Sequence, residues 1–115
     1  MVRLQIVERH GASLYRTLID AMRSGELRTL AVSKRGRKIT HANPNYPGWI
    51  NLRHVDGLIL CDVLSPYKTG GEWRLLSAFI GRLADKYAGL IQSIAVQFPD
   101  AAPPERPKRR RARRR

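Results

Sequence analysis

The sequence predicts an α+β fold: a two-layer sandwich in which two helices pack on a mostly antiparallel sheet of five to six strands. Three observations carry this. Several short segments alternate apolar and polar residues with a period of two, whereas two longer segments repeat apolar residues every three or four positions. Glycine, proline and Asp-Gly signals separate them in the order β-α-β-β-β-β-α-β. A single domain is expected over residues 1–98, followed over 99–115 by a proline-rich spacer and an arginine-rich tail.

Val2, Leu4 and Ile6 alternate with Arg3 and Gln5 as far as Glu8, which is a strand pattern. Ser13 stands where a hydroxyl caps a helix. Leu14, Leu18, Ile19 and Met22 then form an apolar stripe opposite Arg16, Asp20 and Arg23, and Gly25 supplies the left-handed residue that ends it. A strand is predicted over about 27–33 and its return over 39–42. The basic run Lys34-Arg35-Gly36-Arg37-Lys38 forms the hairpin tip, since Gly36 accepts positive φ. The two prolines and the glycine of Asn43–Gly48 exclude helix and strand.

Trp49–Val55 and Leu58–Leu64 read as strands joined at Asp56-Gly57. The second is apolar on both faces apart from Asp62, as expected of a central strand. Thr69-Gly70-Gly71-Glu72 has capping-box spacing before a helix over about 72–88, whose stripe comprises Trp73, Leu76, Phe79, Ile80, Leu83 and Tyr87. Gly81 inside that helix costs about 1 kcal/mol relative to alanine, which suggests close packing by another element or a second subunit. Ile94, Val96 and Phe98 share one face of a final strand. The helix before it allows that strand to lie parallel to a neighbour through a right-handed crossover.

Charge is the main functional signal. The chain carries 22 Lys or Arg against 9 Asp or Glu, a net +13. Of this, +7 lies in the last eleven residues, where Arg106, Lys108, Arg109, Arg110, Arg111, Arg113, Arg114 and Arg115 face one acid, Glu105. Such a segment has nothing apolar to bury and is expected to be a disordered, solvated tail whose partner is a polyanion. Residues 1–104 remain basic at +6. The expected partner is therefore nucleic acid, DNA or RNA, held by its phosphates. A protein partner or a homodimer, with the tail on an acidic surface, is the alternative.

Within the folded part, Lys34, Arg35, Arg37 and Lys38, with His41 and Arg53, are the expected phosphate-binding residues. Tyr46 and Trp49 flank the proline loop and are candidates to stack on unpaired bases. Gly70-Gly71 with Lys68 forms at most a minimal anion site, because the capping box already uses those amides.

Signals for catalysis are weak, and no enzyme activity, cofactor or metal is expected. His10, His41 and His54 lack metal-ligand spacing. Asp62 is expected either to face solvent at an edge or to pair with Arg53 on the adjoining strand; otherwise Asp62, His54 and Arg53 are candidates for acid–base chemistry. Cys61, the single cysteine, is expected in the core and not as a nucleophile. It excludes an internal disulfide and fits a reducing compartment. With no apolar run of membrane-spanning length and no signal-peptide block at Met1–His10, the sequence reads as soluble and cytoplasmic, associated with a nucleoid or ribonucleoprotein, or nuclear in a eukaryote.

Overall fold

A computed structural model of the chain describes residues 1–66 and 70–98. Thr69, Lys68 and the whole spacer and tail, including the basic residues from Arg106 to Arg115, lie outside the described residues. The elements are β1 (Val2–Glu8), α1 (Leu14–Ser24), β2 (Leu30–Val32), β3 (Lys38–His41), β4 (Trp49–Val55), β5 (Leu58–Leu64), α2 (Gly71–Tyr87), a 3-10 turn (Ala88–Leu90) and β6 (Ile91–Gln97). The predicted order and the α+β class are both present. One six-stranded antiparallel sheet has the order β2-β3-β4-β5-β1-β6.

Strand β1 is inserted between β5 and β6 and runs antiparallel to both, with Leu4 opposite Cys61 on one side and Val96 on the other. Thus β5 and β6 run in the same direction but do not pair. The crossover through α2 is present, yet β6 finds only an antiparallel neighbour, because β1 already fills the position beside β5. Strand β5 is interior, as its sequence predicts.

Both helices lie on one face of the sheet. That face carries Val2, Leu4, Ile6, Ile39, Ile50, Leu52, Ile59, Cys61 and Val63, all buried. They pack against Leu14, Leu18 and Ile19 of α1 and Leu75, Phe79 and Leu83 of α2 in one core. The period-two alternation of the strands therefore sends every second residue to a face no described helix covers.

The stripe of α2 is displaced from the predicted one. Leu75 belongs to it, whereas Trp73 is 38% exposed and packs beside Phe98, with ring centroids 5.1 Å apart. The α1 start departs from the expected capping scheme, and the Thr69 half of the α2 capping box lies outside the described residues. Gly70, in the left-handed region, is the N-cap of α2, and among the described residues no side chain caps that end. Glu72 instead lies 3.7 Å from the Met1 ammonium. At α1 the Ser13 hydroxyl makes no capping bond; the Tyr15 amide donates to Glu8 Oε2 at 2.8 Å. An adjacent strand end thus supplies the acceptor, with a full negative charge at the positive end of the helix dipole. Gly25 ends α1 at φ 84°, as predicted.

Gly48 has φ 104°, and a Cβ there would lie 2.1 Å from the Leu64 carbonyl oxygen, a backbone atom unable to move aside. Gly48→Ala should lose roughly 3 kcal/mol or more in urea unfolding, against about 1 kcal/mol or less for Gly89→Ala, where the space is open.

Burial, aided by the neighbouring Asp62 carboxylate, pushes the Cys61 thiol up to about 12. The folded chain then holds the thiol proton more tightly than the unfolded chain does. Stability from this group is complete below the ordinary value of 9.0 and is lost as pH rises toward 12. Urea midpoints should fall between about pH 8 and about pH 10.5, and should fall less in Cys61→Ala.

Candidate nucleic-acid interface

The expected phosphate-binding residues divide between the two sides of the sheet. Lys38, at the start of β3, is opposite Asn51 of β4, and alternation along β4 places Trp49, Asn51 and Arg53 in one row on the uncovered face. Arg3 of β1 lies on the same face, opposite Asp62. The Lys38 ammonium sits 4.7 Å from the Trp49 ring centroid, an attractive placement of a cation over an aromatic face. Trp49 is half-buried and faces outward, while its neighbour Ile50 enters the core.

Asp62 does not pair with Arg53. Arg3 Nε donates to Asp62 Oδ1 at 2.9 Å, whereas Arg53 is opposite Leu60. The register decides this: Arg3 and Asp62 are directly across from each other, and Arg53 is not. Among the described residues neither Lys38 nor Arg53 has a carboxylate within 4.0 Å. The face thus keeps two unneutralised cations and one internal ion pair, beside the amides of Gln5, Asn51 and Gln97. Sequence reasoning did not select Arg3. Its signal was the alternation Val2-Arg3-Leu4, read together with the partner strand that only the fold supplies.

Lys34 and Arg35 lie in the β2–β3 turn and are exposed, as is Arg37. Gly36 takes φ 71°, as predicted, but the tip is docked rather than free. Its carbonyl accepts from the Tyr15 hydroxyl at 3.0 Å, and the Lys34 carbonyl accepts from Arg23 Nη2 at 2.6 Å. This places Arg16 and Arg23 of α1 beside Arg35 along one cleft. Their i, i+7 spacing was the available signal.

His41 and Tyr46 face the helix side and stack at 4.3 Å, with the Arg74 guanidinium 5.5 Å from the Tyr46 ring. His41 Nδ1 accepts from the Asn43 amide at 2.9 Å. Burial, and then the charge of Arg82, hold this imidazole below its usual range. His41 therefore adds no cation to the hairpin. Tyr46 and Trp49 occupy opposite sides of the sheet and do not form a common platform.

The three residues considered for acid–base chemistry also separate. Asp62 and Arg53 are on the uncovered face, and His54 is on the helix side, where Nε2 donates to Glu8 Oε1 at 3.0 Å and the ring stacks on Tyr15 at 4.5 Å. The Glu8 side chain is only 7% exposed. It joins β1, β4 and α1 through one carboxylate. Among the described residues no group of three His, Cys, Asp or Glu is arranged to hold a metal ion. No described helix is long and apolar enough to cross a membrane.

Comparison with protein-family models, with curated proteins and with solved structures returned no match.

Glu8 carries both the cap of α1 and the bond to His54. Glu8→Ala should lower unfolding free energy by about 2 kcal/mol, whereas Ser13→Ala should change it by less than about 0.5 kcal/mol. Parallel urea titrations of the two variants compare them directly.

Proposed function

We propose that this protein is a small, non-enzymatic nucleic-acid-binding protein that grips phosphates through its uncovered sheet face, its basic hairpin and its arginine-rich tail. The observation that carries the reading is the pairing of Lys38 with Trp49 beside Arg53 on that face. Two cations there have no carboxylate within 4.0 Å among the described residues, and one lies over an aromatic ring. Cations of this kind exchange small counterions for phosphate, and an outward-facing indole offers a stacking surface to an unpaired base. The +7 of the last eleven residues supports the same partner. It would act as an affinity element, adding strength without reading bases. Association with a nucleoid, a ribonucleoprotein or nuclear nucleic acid accords with this reading.

A second reading, a homo-oligomer or a subunit of a larger assembly, is favoured by the apolar residues in the middle of the same face. Leu58, Leu60 and Leu64 are half-buried there, and Val55 at its margin is 50% exposed. Light scattering on nuclease-treated protein separates the two. A stoichiometric oligomer without the ultraviolet signature of nucleic acid supports the second reading.

A filter-binding panel of single- and double-stranded DNA and RNA at several salt concentrations tests the first. Affinity should fall steeply with salt, by about 0.9 log–log units for each phosphate neutralised on B-DNA. Lys38→Gln with Arg53→Gln should flatten that slope by about 2 units, weakening all sequences alike. A chain ending at Pro104 should flatten it further. Unchanged slopes in both would refute the proposal.

A further inference from the structure

The cleft between α1 and the β2–β3 turn contains a charge arrangement of which the nucleic-acid reading uses only Arg35. Arg16, Asp20 and Arg23 recur at i, i+4 and i+7 on the outer face of α1, and Arg35 approaches from the turn. Three guanidinium groups and one carboxylate leave a balance of +2. Asp20 does not neutralise its neighbours: among the described residues no carboxylate lies within 4.0 Å of any of the three arginines. Like charges are therefore held together without an internal counterion.

Two hydrogen bonds fix the walls in place. The Tyr15 hydroxyl donates to the Gly36 carbonyl, and Arg23 Nη2 donates to the Lys34 carbonyl. The rest of the Arg23 guanidinium retains its other donors. A side chain at Gly36 would crowd the cleft: a Cβ there would lie 3.2 Å from the Tyr15 hydroxyl and 3.6 Å from Arg23 Nη2.

We propose that this cleft is a binding site for a phosphate group, with preference for the dianionic monoester. Forked guanidinium donors match the oxygens of a tetrahedral oxyanion, and charge-assisted bonds of this type are the strong ones. A single carboxylate or a phosphodiester would balance only half of the excess charge. A monoester, whose second ionisation falls at about pH 6, balances nearly all of it near neutrality. The phosphate group belongs either to the end of a nucleic acid or to a free phosphate. In the first case the inference rests on the nucleic-acid reading; in the second it stands apart from it.

The test is a nuclear magnetic resonance titration of the full chain at constant ionic strength. Inorganic phosphate and the 5′-phosphorylated and 5′-hydroxyl forms of one short oligonucleotide are added in separate experiments. The Gly36 amide reports on the cleft and the Trp49 indole on the uncovered sheet face. The Gly36 signal should shift and saturate with phosphate, more tightly as pH rises through about 6. Arg16→Gln and Arg35→Gln, at exposed positions, should each weaken that binding about tenfold. Tighter binding of the 5′-phosphorylated strand than of its 5′-hydroxyl form identifies a nucleic-acid end. Saturation by inorganic phosphate with no difference between the two strands identifies a free phosphate. If none of the three ligands saturates the Gly36 signal, or if both variants bind as the parent chain does, the proposal is overturned. A saturable Gly36 signal with a Trp49 indole that responds to neither oligonucleotide leaves the cleft intact and removes the sheet face from the nucleic-acid reading.

Discussion

The insertion of β1 between β5 and β6 is the constraint on which the rest of the structure depends. Its three inward residues, Val2, Leu4 and Ile6, are at most 1% exposed and lie among the residues of both neighbouring strands. Full burial of one such side chain contributes about 1.5–3 kcal/mol. The same strand, with Met1 before it, makes four other contacts. Arg3 neutralises Asp62 on the uncovered face, Glu8 caps α1 and holds His54, and the Met1 ammonium meets Glu72 at the start of α2. The first strand thus connects the sheet, both helices and the candidate interface.

From that arrangement follows the division between a buried and an uncovered face. Two helices on one side bury one half of each strand's alternation and leave the other half to water. Arg3, Lys38, Trp49, Asn51 and Arg53 share that face because of strand parity and pairing, although they come from three separate strands. The docking of the hairpin tip on α1 has the complementary effect. It draws Arg35 to the helix side and assembles a second cationic surface with Arg16 and Arg23. A hairpin that reads as one basic projection thereby contributes to two surfaces of different chemistry: a sheet face with an aromatic ring, and a cleft fixed by hydrogen bonds.

Much of the architecture was legible because it depends on local rules. Strand alternation, the stripe of α1, the left-handed Gly25 and the Asp56-Gly57 turn each reflect a preference confined to a few residues. The failures share a different cause. The Ser13 hydroxyl suggested a local cap, but Glu8 reached α1 from a neighbouring strand end. Trp73 fits a helical stripe by spacing, yet it lies at the margin of the core and finds Phe98. Arg53 is near Asp62 on the adjoining strand by a plausible pairing, but the register gave that carboxylate to Arg3. In each case a residue distant in sequence competed with the local partner.

By itself the sequence determined the class of the fold, the kinds and approximate limits of its elements, the burial of Cys61 and the strongly basic balance. These follow from periodicity, turn stereochemistry and composition, which act over short stretches of chain. The tertiary structure alone decided strand order, the antiparallel placement of β6, the partner of Asp62, the partial burial of His41 beside Arg82 and the grouping of cations into a sheet face and a cleft. These depend on which distant segments meet, and pairing energies between strands differ too little for alternation to specify the choice. That choice is made collectively, when β1 fills the place between β5 and β6 and both helices close over the same face.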